Sequence, residues 1–567
     1  MSRARLLLTL IVTAALIPLT AIIYRRLDLS LTSTSVLRPF SPSPKSSLEE
    51  MPPQSAPSQA AAVIVVGSGL AGLTASYSAL RAGARSVVLL ERAPKPGGNS
   101  IKASSGINGC PTRHQPQPNP DSVAAFRADT VRSAGRRLEG AATANPAAQR
   151  AARERLVDAL TEGSRAAVEF LTDEVGVDLS RVAQLGGHSF ARTHRGSGKT
   201  PPGAAIVTAL LAKLKEDAKF ELRTGCEVSR LLRDDGSTGT GTARVTGVEY
   251  RTTTTTPPPS TDAPAAQPQD GASPPPQVLR GPVVFATGGF AGDAAGLLAT
   301  YRPDLAGMPS TNDARPGMHH LLEAELGAAL TDMDAVQVHP TGFVDPASPY
   351  APVKFLAAEM LRGEGGILLN GQGSRFVNEM DTRERVSNAI MAMAEDAQRP
   401  EGVQHWDVRI LLDPGACDAA GAHIGFYTWK GLMKKIKVRD LDGPARAALR
   451  DYADVAAGKR EDKFGRTSFG HWRLKGTDAE DDEEVCIGSV TPVTHFTMGG
   501  AAINDKAQIL TSALGEDEKP IQGLWAAGEI TGGLHGDNRL GGSSLLECVV
   551  FGLIAGEQAA TSLDATT

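Results

Sequence analysis

The chain has 567 residues, of which 41% are apolar and 21% charged, and its formal net charge is -5. That length suggests about two to four domains, and mild acidity without a basic stripe argues against nucleic acid as a partner. The five cysteines, Cys110, Cys226, Cys417, Cys486 and Cys548, form no CxxC or CxxCH pair, which argues against iron–sulfur clusters, c-type haem, cysteine zinc sites and a disulfide framework. No metal is expected, so electrons have to arrive without a built-in relay.

Leu6 to Ile23 carries no charge and is mostly apolar, with Arg3 and Arg5 before it and Arg25 and Arg26 after it. It is at the lower limit for a membrane span and slightly long for a signal core. Three readings stand: a secretory signal, a mitochondrial presequence (no acidic residue precedes Asp28), and a membrane tether through residues 6–23. The expected compartment is the mitochondrion or the endoplasmic reticulum. Ser30 to Gln59 is rich in Ser and Pro and reads as a disordered tether, so the folded part is expected to begin near Ala60.

Ala61–Val66 is a short apolar run of the kind found in buried parallel strands. A glycine loop, a helical stretch to Ala82 and a second apolar run at Ser86–Leu90 make one βαβ unit. Long helical patterns cover Ala147–Glu174 and Ile206–Lys219. Strands are predicted at Val245–Tyr250, from near Val278, at Pro282–Ala286 and at Gly523–Ala527. The class is α/β. Between Asp234 and Gln277 the sequence contains Thr252–Thr256, Pro257–Pro259 and Pro274–Pro276, and residues 234–277 read as a disordered insertion that could not build a core.

Gly67-Ser68-Gly69-Leu70-Ala71-Gly72 is a GxGxxG between a strand and a helix, and Glu91 closes the next strand 19 residues after Gly72. Glycines let the backbone approach a pyrophosphate, and the helix N-terminus offers free N–H groups and a positive dipole. Glu91 can accept ribose hydroxyls. Three further landmarks select FAD over NAD: the glycine pair in Pro96-Gly97-Gly98-Asn99-Ser100, the Ala-Thr-Gly-Gly of Ala286–Gly289 and the Ala-Ala-Gly-Glu of Ala526–Glu529. They look like the landmarks of the two-dinucleotide-binding-domain, Rossmann-like FAD fold.

The motifs then become specific. Gln337-Val338-His339-Pro340-Thr341-Gly342, Glu359-Met360-Leu361-Arg362-Gly363-Glu364-Gly365-Gly366, Arg375-Phe376-Val377-Asn378-Glu379, Asp381-Thr382-Arg383, His495-Phe496-Thr497-Met498-Gly499-Gly500 and Asn538-Arg539-Leu540-Gly541-Gly542 follow in order. This series resembles the fumarate reductase and succinate dehydrogenase flavoprotein family. Gly98 to Asn108 resembles its soluble, yeast-type branch, and the match runs from about Ala60 to Gly556. With the targeting segment and linker at 1–59, the resemblance implies an FAD domain split between 60–333 and 498–567, and an inserted α+β capping domain at 334–497. His339 and His495 would lie at the two hinges, with substrate between cap and flavin. It implies FAD contacts from Gly67, Ser68, Gly69, Gly72, Glu91, Arg92, Gly98, Asn99, Ser100, Ser104, Gly106, Val228, Thr287, Gly288, Glu529, Ser544 and Leu545.

Fumarate is a small dianion with an alkene between two carboxylates. A site for it needs two clamps, a hydride donor and a proton donor, and Arg383, Arg539, His339 and His495 could supply clamps and acid. The guanidinium fork suits a carboxylate. Glu359 and Arg362 are three apart and would share a helix face; they read as a surface ion pair or, by the resemblance, as a relay that refills Arg383 with protons. The resemblance makes Arg383 the general acid and Arg539, His339, His495, Gly542 and Ser105 the substrate binders. His188 and His194 are weaker candidates, and His319 and His320 read as plain helix residues. Two departures stand out: Ala358 replaces the Thr or Ser that many relatives place before the relay glutamate, and Arg315-Pro316-Gly317 replaces a Gly-Asp-Gly turn. Asn99 and Ser100 occupy the region where membrane-bound relatives carry a histidine linked to FAD, so noncovalent FAD is expected. The activity implied is reduction of fumarate to succinate, with reduced flavin or NADH as diffusible donor. The alternatives are a related enzyme acting on urocanate, an acrylate, a 3-ketosteroid or L-aspartate, and a non-catalytic flavoprotein.

Overall fold

The computed structural model describes residues 62–139, 145–234, 244–252, 275–313 and 315–564. The expected leader at 6–23, the Ser/Pro tether and most of the Pro/Thr insertion lie outside these residues. Residues 60–567 form one compact unit.

Its centre is a six-stranded sheet in the spatial order Gln508–Leu510, Pro520–Ala526, Val283–Phe285, Val63–Val66, Val87–Glu91 and Phe220–Thr224. The last five are parallel and Gln508–Leu510 runs antiparallel at one edge. The inner strands Val63–Val66, Val87–Glu91 and Val283–Phe285 are buried throughout, which explains their unbroken apolar runs: a parallel strand is covered on both faces. Helix Leu70–Arg81 follows the first strand, and helix Ser543–Asp564 packs across it. That crossing is close at Gly556, where a Cβ would collide with the Ala75 carbonyl. Ser543–Leu563 is long and apolar enough to cross a membrane by composition, but here its apolar residues Leu546, Val549, Phe551 and Ala555 belong to the core.

A second, antiparallel sheet is built from Val336–Phe343, Glu484–Thr497, Val408–Leu412 and Ile367–Asn370, with Lys434–Lys437 pairing along Glu484–Thr497. It has its own apolar cores around Val408, Ile410, Leu412 and around Ile367, Leu411, Tyr452.

The structure revises three expectations. The bounds 234–277 of the insertion are too wide, because they enclose the strand predicted at Val245–Tyr250, which is present as Arg244–Thr252 and pairs with Cys226–Asp234 and Gln277–Arg280; its alternation of buried and exposed residues suffices to hold it in a sheet. The long helix expected over Ala147–Glu174 is three pieces, Pro146–Glu162, Ser164–Glu169 and a π turn Phe170–Glu174. The first two divide at Gly163, where a Cβ would stand 2.8 Å from Ala159 O and 3.2 Å from both methyl carbons of Val550 in the C-terminal helix. And Glu359 sits at the N-cap of a single turn, Met360–Gly363, rather than within a longer helix.

Candidate active site

The nucleotide cradle is shaped by backbone. Gly67 has φ +101° and a Cβ there would strike the Ala286 carbonyl; a Cβ at Gly72 would strike Gly67 O. Only glycine lets the loop turn between two strands and still lie flat on the following helix. Ser68 donates from N and Oγ to Glu91 Oε2 at 3.0 and 2.5 Å, and Ala93 N donates to Glu91 Oε1 at 2.7 Å. Glu91, expected to meet a ribose, thus already ties the glycine loop to the end of its strand. Ser100 Oγ accepts from Leu70 N at 3.1 Å and caps the helix, whose N-cap Gly69 has no side chain to do so. Arg92 donates twice to Pro316 O, at 3.3 and 3.2 Å, so the departing Arg315-Pro316-Gly317 turn anchors that arginine. Gly98 and Gly288 adopt positive φ, Gly106 packs on the His194 carbonyl, and Asn99 caps the turn Ser100–Lys102. Val228 is buried in its strand, and Ser544 and Leu545 lie in the first turn of the C-terminal helix.

This cradle fits a dinucleotide. Thr287 Oγ1 and Ser104 Oγ are buried with no hydrogen-bond partner among the described residues, on loops beside the glycine turn, and buried hydroxyls rarely stay so without a ligand. Glu529 accepts from Thr497 N at 2.9 Å and Thr497 Oγ1 at 3.3 Å and has no salt-bridged cation among the described residues; burial pushes its carboxyl up to about 7.

The four charged or ionisable clamps come together. In the second sheet the register of Val336–Phe343 on Glu484–Thr497 passes from Gln337↔Phe496 to Val338↔Thr494, so His495 is the extra residue of a bulge. A second irregularity falls between His339 and Gly342, where Pro340 cannot donate to the ladder. The two bulges bring His339 and His495 edge to face, 5.3 Å between ring centroids. His339 Nδ1 accepts from Thr341 N at 3.2 Å, which leaves Nε2 with the proton and no acceptor among the described residues. His495 Nδ1 pairs with Thr311 Oγ1 at 2.7 Å. Burial, then Arg383, holds both rings well below the usual histidine range, so both are neutral.

Beside them Arg383 and Arg539 share one acceptor. Arg383 Nη1 donates to Gln337 Oε1 at 2.9 Å and Arg539 Nη2 donates to the same oxygen at 3.0 Å. Gln337 Nε2 in turn donates to Arg539 O at 2.7 Å and Asn538 Oδ1 at 3.1 Å. Arg539 also lies 4.2 Å over the Phe496 ring. Both arginines are buried. Burial, reinforced by Arg383, lowers Arg539 to about 9. Gln337 is the residue that the motif reading missed: a glutamine in a strand gives no sign that its oxygen will receive a guanidinium from 202 positions later.

Glu359 meets Arg383, with Oε2 accepting from Nε at 2.6 Å and Nη2 at 2.5 Å, and its Oε1 accepts from Gly186 N at 3.0 Å. Burial alone would raise this carboxyl, but Arg383 and Arg362 outweigh it and hold it below the ordinary range. The expected Glu359–Arg362 hydrogen-bonded pair is not formed. Arg362 Nη1 donates to Glu379 O at 2.6 Å instead, while its Nε and Nη2 have no partner among the described residues. Arg383 already takes the carboxylate, and the Glu379 carbonyl takes Arg362. Glu359 and Arg362 still act on each other through charge, and burial lowers Arg362 to about 10.

Of the remaining predicted binders, Gly542 has φ +82° and its carbonyl accepts from Asn108 N at 3.2 Å. Ser105 is half-buried on the preceding loop, outside this hydrogen-bonded cluster. Ala358 is buried and its N–H donates to Tyr427 Oη at 3.3 Å. His194 is held by Thr112 Oγ1 and Arg192 O, His319 packs edge-on against Phe290, and His320 pairs with Gly317 O.

Residues 62–545 match the family model of the FAD binding domain. The chain is 40% identical to fumarate reductase 1 of Saccharomyces cerevisiae, across 88% of this chain and 98% of that protein. It is 36% identical to a fumarate reductase of Schizosaccharomyces pombe, across 88% and 89%. Its fold is similar to the open conformation of a flavocytochrome c3 fumarate reductase, with TM-score 0.63, 30% identity and coverage of 89% and 79%.

Proposed function

The chain belongs to the FAD-binding fumarate reductase family, and on that premise we propose that it is an FAD-dependent oxidoreductase that reduces fumarate to succinate. One observation carries the reading: two buried guanidinium groups, Arg383 and Arg539, share Gln337 Oε1 beside two neutral histidines. Glu359 answers the charge of Arg383, but among the described residues no carboxylate contacts Arg539; burying an unpaired cation costs several kcal/mol, and a dianionic ligand offsets it. Charge-assisted hydrogen bonds to such a ligand contribute about 1.5–3 kcal/mol each. His339 donates from Nε2 to one carboxylate, and Arg539 with His495 holds the other.

The glycine cradle, Thr287 and Ser104 would hold FAD noncovalently, and the reduced cofactor would supply the hydride for one alkene carbon. Arg383 protonates the other carbon and stabilises the negative charge that grows there. A guanidinium seldom gives up its proton, so the loss is transient: Arg362 passes a proton to the ionised Glu359, which hands it to Arg383 along its contacts with Nε and Nη2, and Arg362 is refilled from solvent. The cap is assigned to 334–497 and the flavin part to 60–333 and 498–567. The electron donor is a diffusible reduced flavin or NADH. The leader is an address to the mitochondrion or the endoplasmic reticulum, decided by a fluorescent tag after Gln59 with and without residues 1–40.

The test is anaerobic reoxidation of the chemically reduced protein by fumarate, with crotonate and a steroid enone as controls. Fast reoxidation by fumarate alone is expected; equal rates with crotonate would remove the two-carboxylate clamp. Arg383→Ala is expected to keep FAD and lose turnover.

A further inference from the structure

The Glu359–Arg383 corner is closed from outside the second sheet by two backbone groups. Gly186 N–H donates to Glu359 Oε1. Gly541 covers the other oxygen: a Cβ there would stand 2.7 Å from Glu359 Oε2 and 3.2 Å from Arg383 Nη2. One residue meets both, by its side chain at Gly541 and by its backbone at the turn of Gly186. His188 Nε2 pairs with Gly541 O at 3.0 Å, and its backbone N–H closes the 185–188 turn on Leu185 O at 3.3 Å, with Gly186 inside that turn. Gln184 Nε2 fastens the same turn through His188 O at 2.7 Å.

The ring's protonation follows from its neighbours. Nδ1 faces Arg192 Nη1 at 3.2 Å, and a guanidinium only donates, so Nδ1 is the acceptor. Nε2 faces a carbonyl, so it carries the hydrogen. Arg192 is itself fixed by Asp121 and Asp129, at 2.7 Å to each, with no exposure to solvent. Asp129 also accepts from Ser189, the residue after the histidine. A second proton on the ring would point at Arg192, and burial with that repulsion pushes His188 down to about 4.

We propose that His188 is a positioning residue for proton delivery: its neutral Nε2–H fixes the Gly541 peptide while its turn presents Gly186 N–H to Glu359, so that the carboxylate and Arg383 stay aligned and dry. The proposal rests on the relay reading of Glu359 and Arg383. Asn108 Nδ2 also donates to Gly541 O, at 2.8 Å, so removal of the imidazole loosens the peptide rather than releasing it.

The experiment compares H188N, whose amide cannot reach Gly541 O, with H188Q, whose amide falls near Nε2, in the FAD-loaded full chain with a reduced viologen dye as donor. For H188N we expect kcat to fall about tenfold, the scale of a lost hydrogen bond, with KM for fumarate within about twofold. The limb of the pH profile set by Glu359 should move downward, because a loosened Gly541 peptide admits water to a carboxyl that burial raises, and the solvent deuterium isotope effect should grow. H188Q should restore kcat to within about threefold. If H188N does not fold, H188F keeps the ring against Phe126 without a donor and carries the same expectations. An unmoved kcat and pH profile in H188N, a change confined to KM, or H188Q as impaired as H188N at equal melting temperature would overturn the proposal. Wild-type protein inert toward fumarate would instead sink the function itself.

Discussion

Gln337 gives one oxygen to two cations, and that makes its replacement by glutamate informative. The carboxylate of Q337E would pair with Arg383 and Arg539 at the present distances of 2.9 and 3.0 Å. It would remove their mutual repulsion and occupy the charge that the substrate is meant to meet. We expect the melting temperature to rise and the fumarate KM to rise by at least about tenfold, the equivalent of about 1.4 kcal/mol; a variant with unaltered KM would separate this arginine pair from the substrate. Arg539 adds a pH signature of its own. Burial and Arg383 bring it down to about 9, and only its charged form clamps a carboxylate. Below that pH the group is protonated and KM should be flat. Above it, binding must take up a proton, and KM should rise toward about tenfold per pH unit. Initial rates from pH 7 to 10.5 check this, with R539K as the comparison whose break should fall at a different pH. The motif reading found the charged members of the site because charge near glycine-rich turns is conspicuous. It missed Gln337, Gly186 and Gly541 because an amide, or a glycine's own N–H and carbonyl, acquires meaning only when distant segments fold onto it.

At the level of elements, the inner parallel strands were legible from composition, since double-sided burial demands apolar runs such as Val63–Val66 and Val283–Phe285. The bulges in Val336–Phe343 and Glu484–Thr497 were not, although Pro340 marked one of them, because a bulge depends on the partner strand's register. The break at Gly163 was hidden for the same reason: it answers to Val550 in the last helix. That last helix is exposed to a sharp test. G556A places a Cβ into the Ala75 carbonyl and 2.9 Å from Ser78 Cβ, so helices Leu70–Arg81 and Ser543–Asp564 must separate. Overpacking of this kind costs about 2 kcal/mol, and a lower melting temperature with reduced FAD retention is expected. The hairpin offers the opposite case. Tyr250 pairs with Gln277, so the ends of the intervening stretch are neighbours. Replacing residues 253–274 by a four-residue Gly/Asn turn should leave melting temperature and turnover within error, because loop length enters stability only logarithmically. Loss of folding would mean that this stretch holds more than the hairpin.

For the molecule as a whole, the site is a buried surplus of positive charge. Arg362, Arg383 and Arg539 are each at most 5% exposed, yet Glu359 is the carboxylate that directly pairs with Arg383. Arg362 and Arg539 rely on carbonyl and amide oxygens. Taking unpaired guanidinium groups out of water opposes folding, so the FAD-loaded protein carries a strain that a small dianion relieves. A ligand that binds only the folded state stabilises it by about 2.7 kcal/mol at one hundred times its Kd. For a chain of this size that corresponds to a rise of about 2 °C. Fumarate, succinate and the shorter malonate, each with two carboxylates, should all raise the melting temperature, and crotonate, with one, should raise it much less. Because the cations are buried, sodium chloride at the same ionic strength should not reproduce the effect. R539Q should abolish most of the shift while melting higher than wild type without ligand, since it removes a destabilising buried charge and keeps a polar donor near Gln337. Equal shifts with crotonate and fumarate, or an R539Q variant that melts lower and still responds, would mean that the two guanidinium groups do not act together on one dianion.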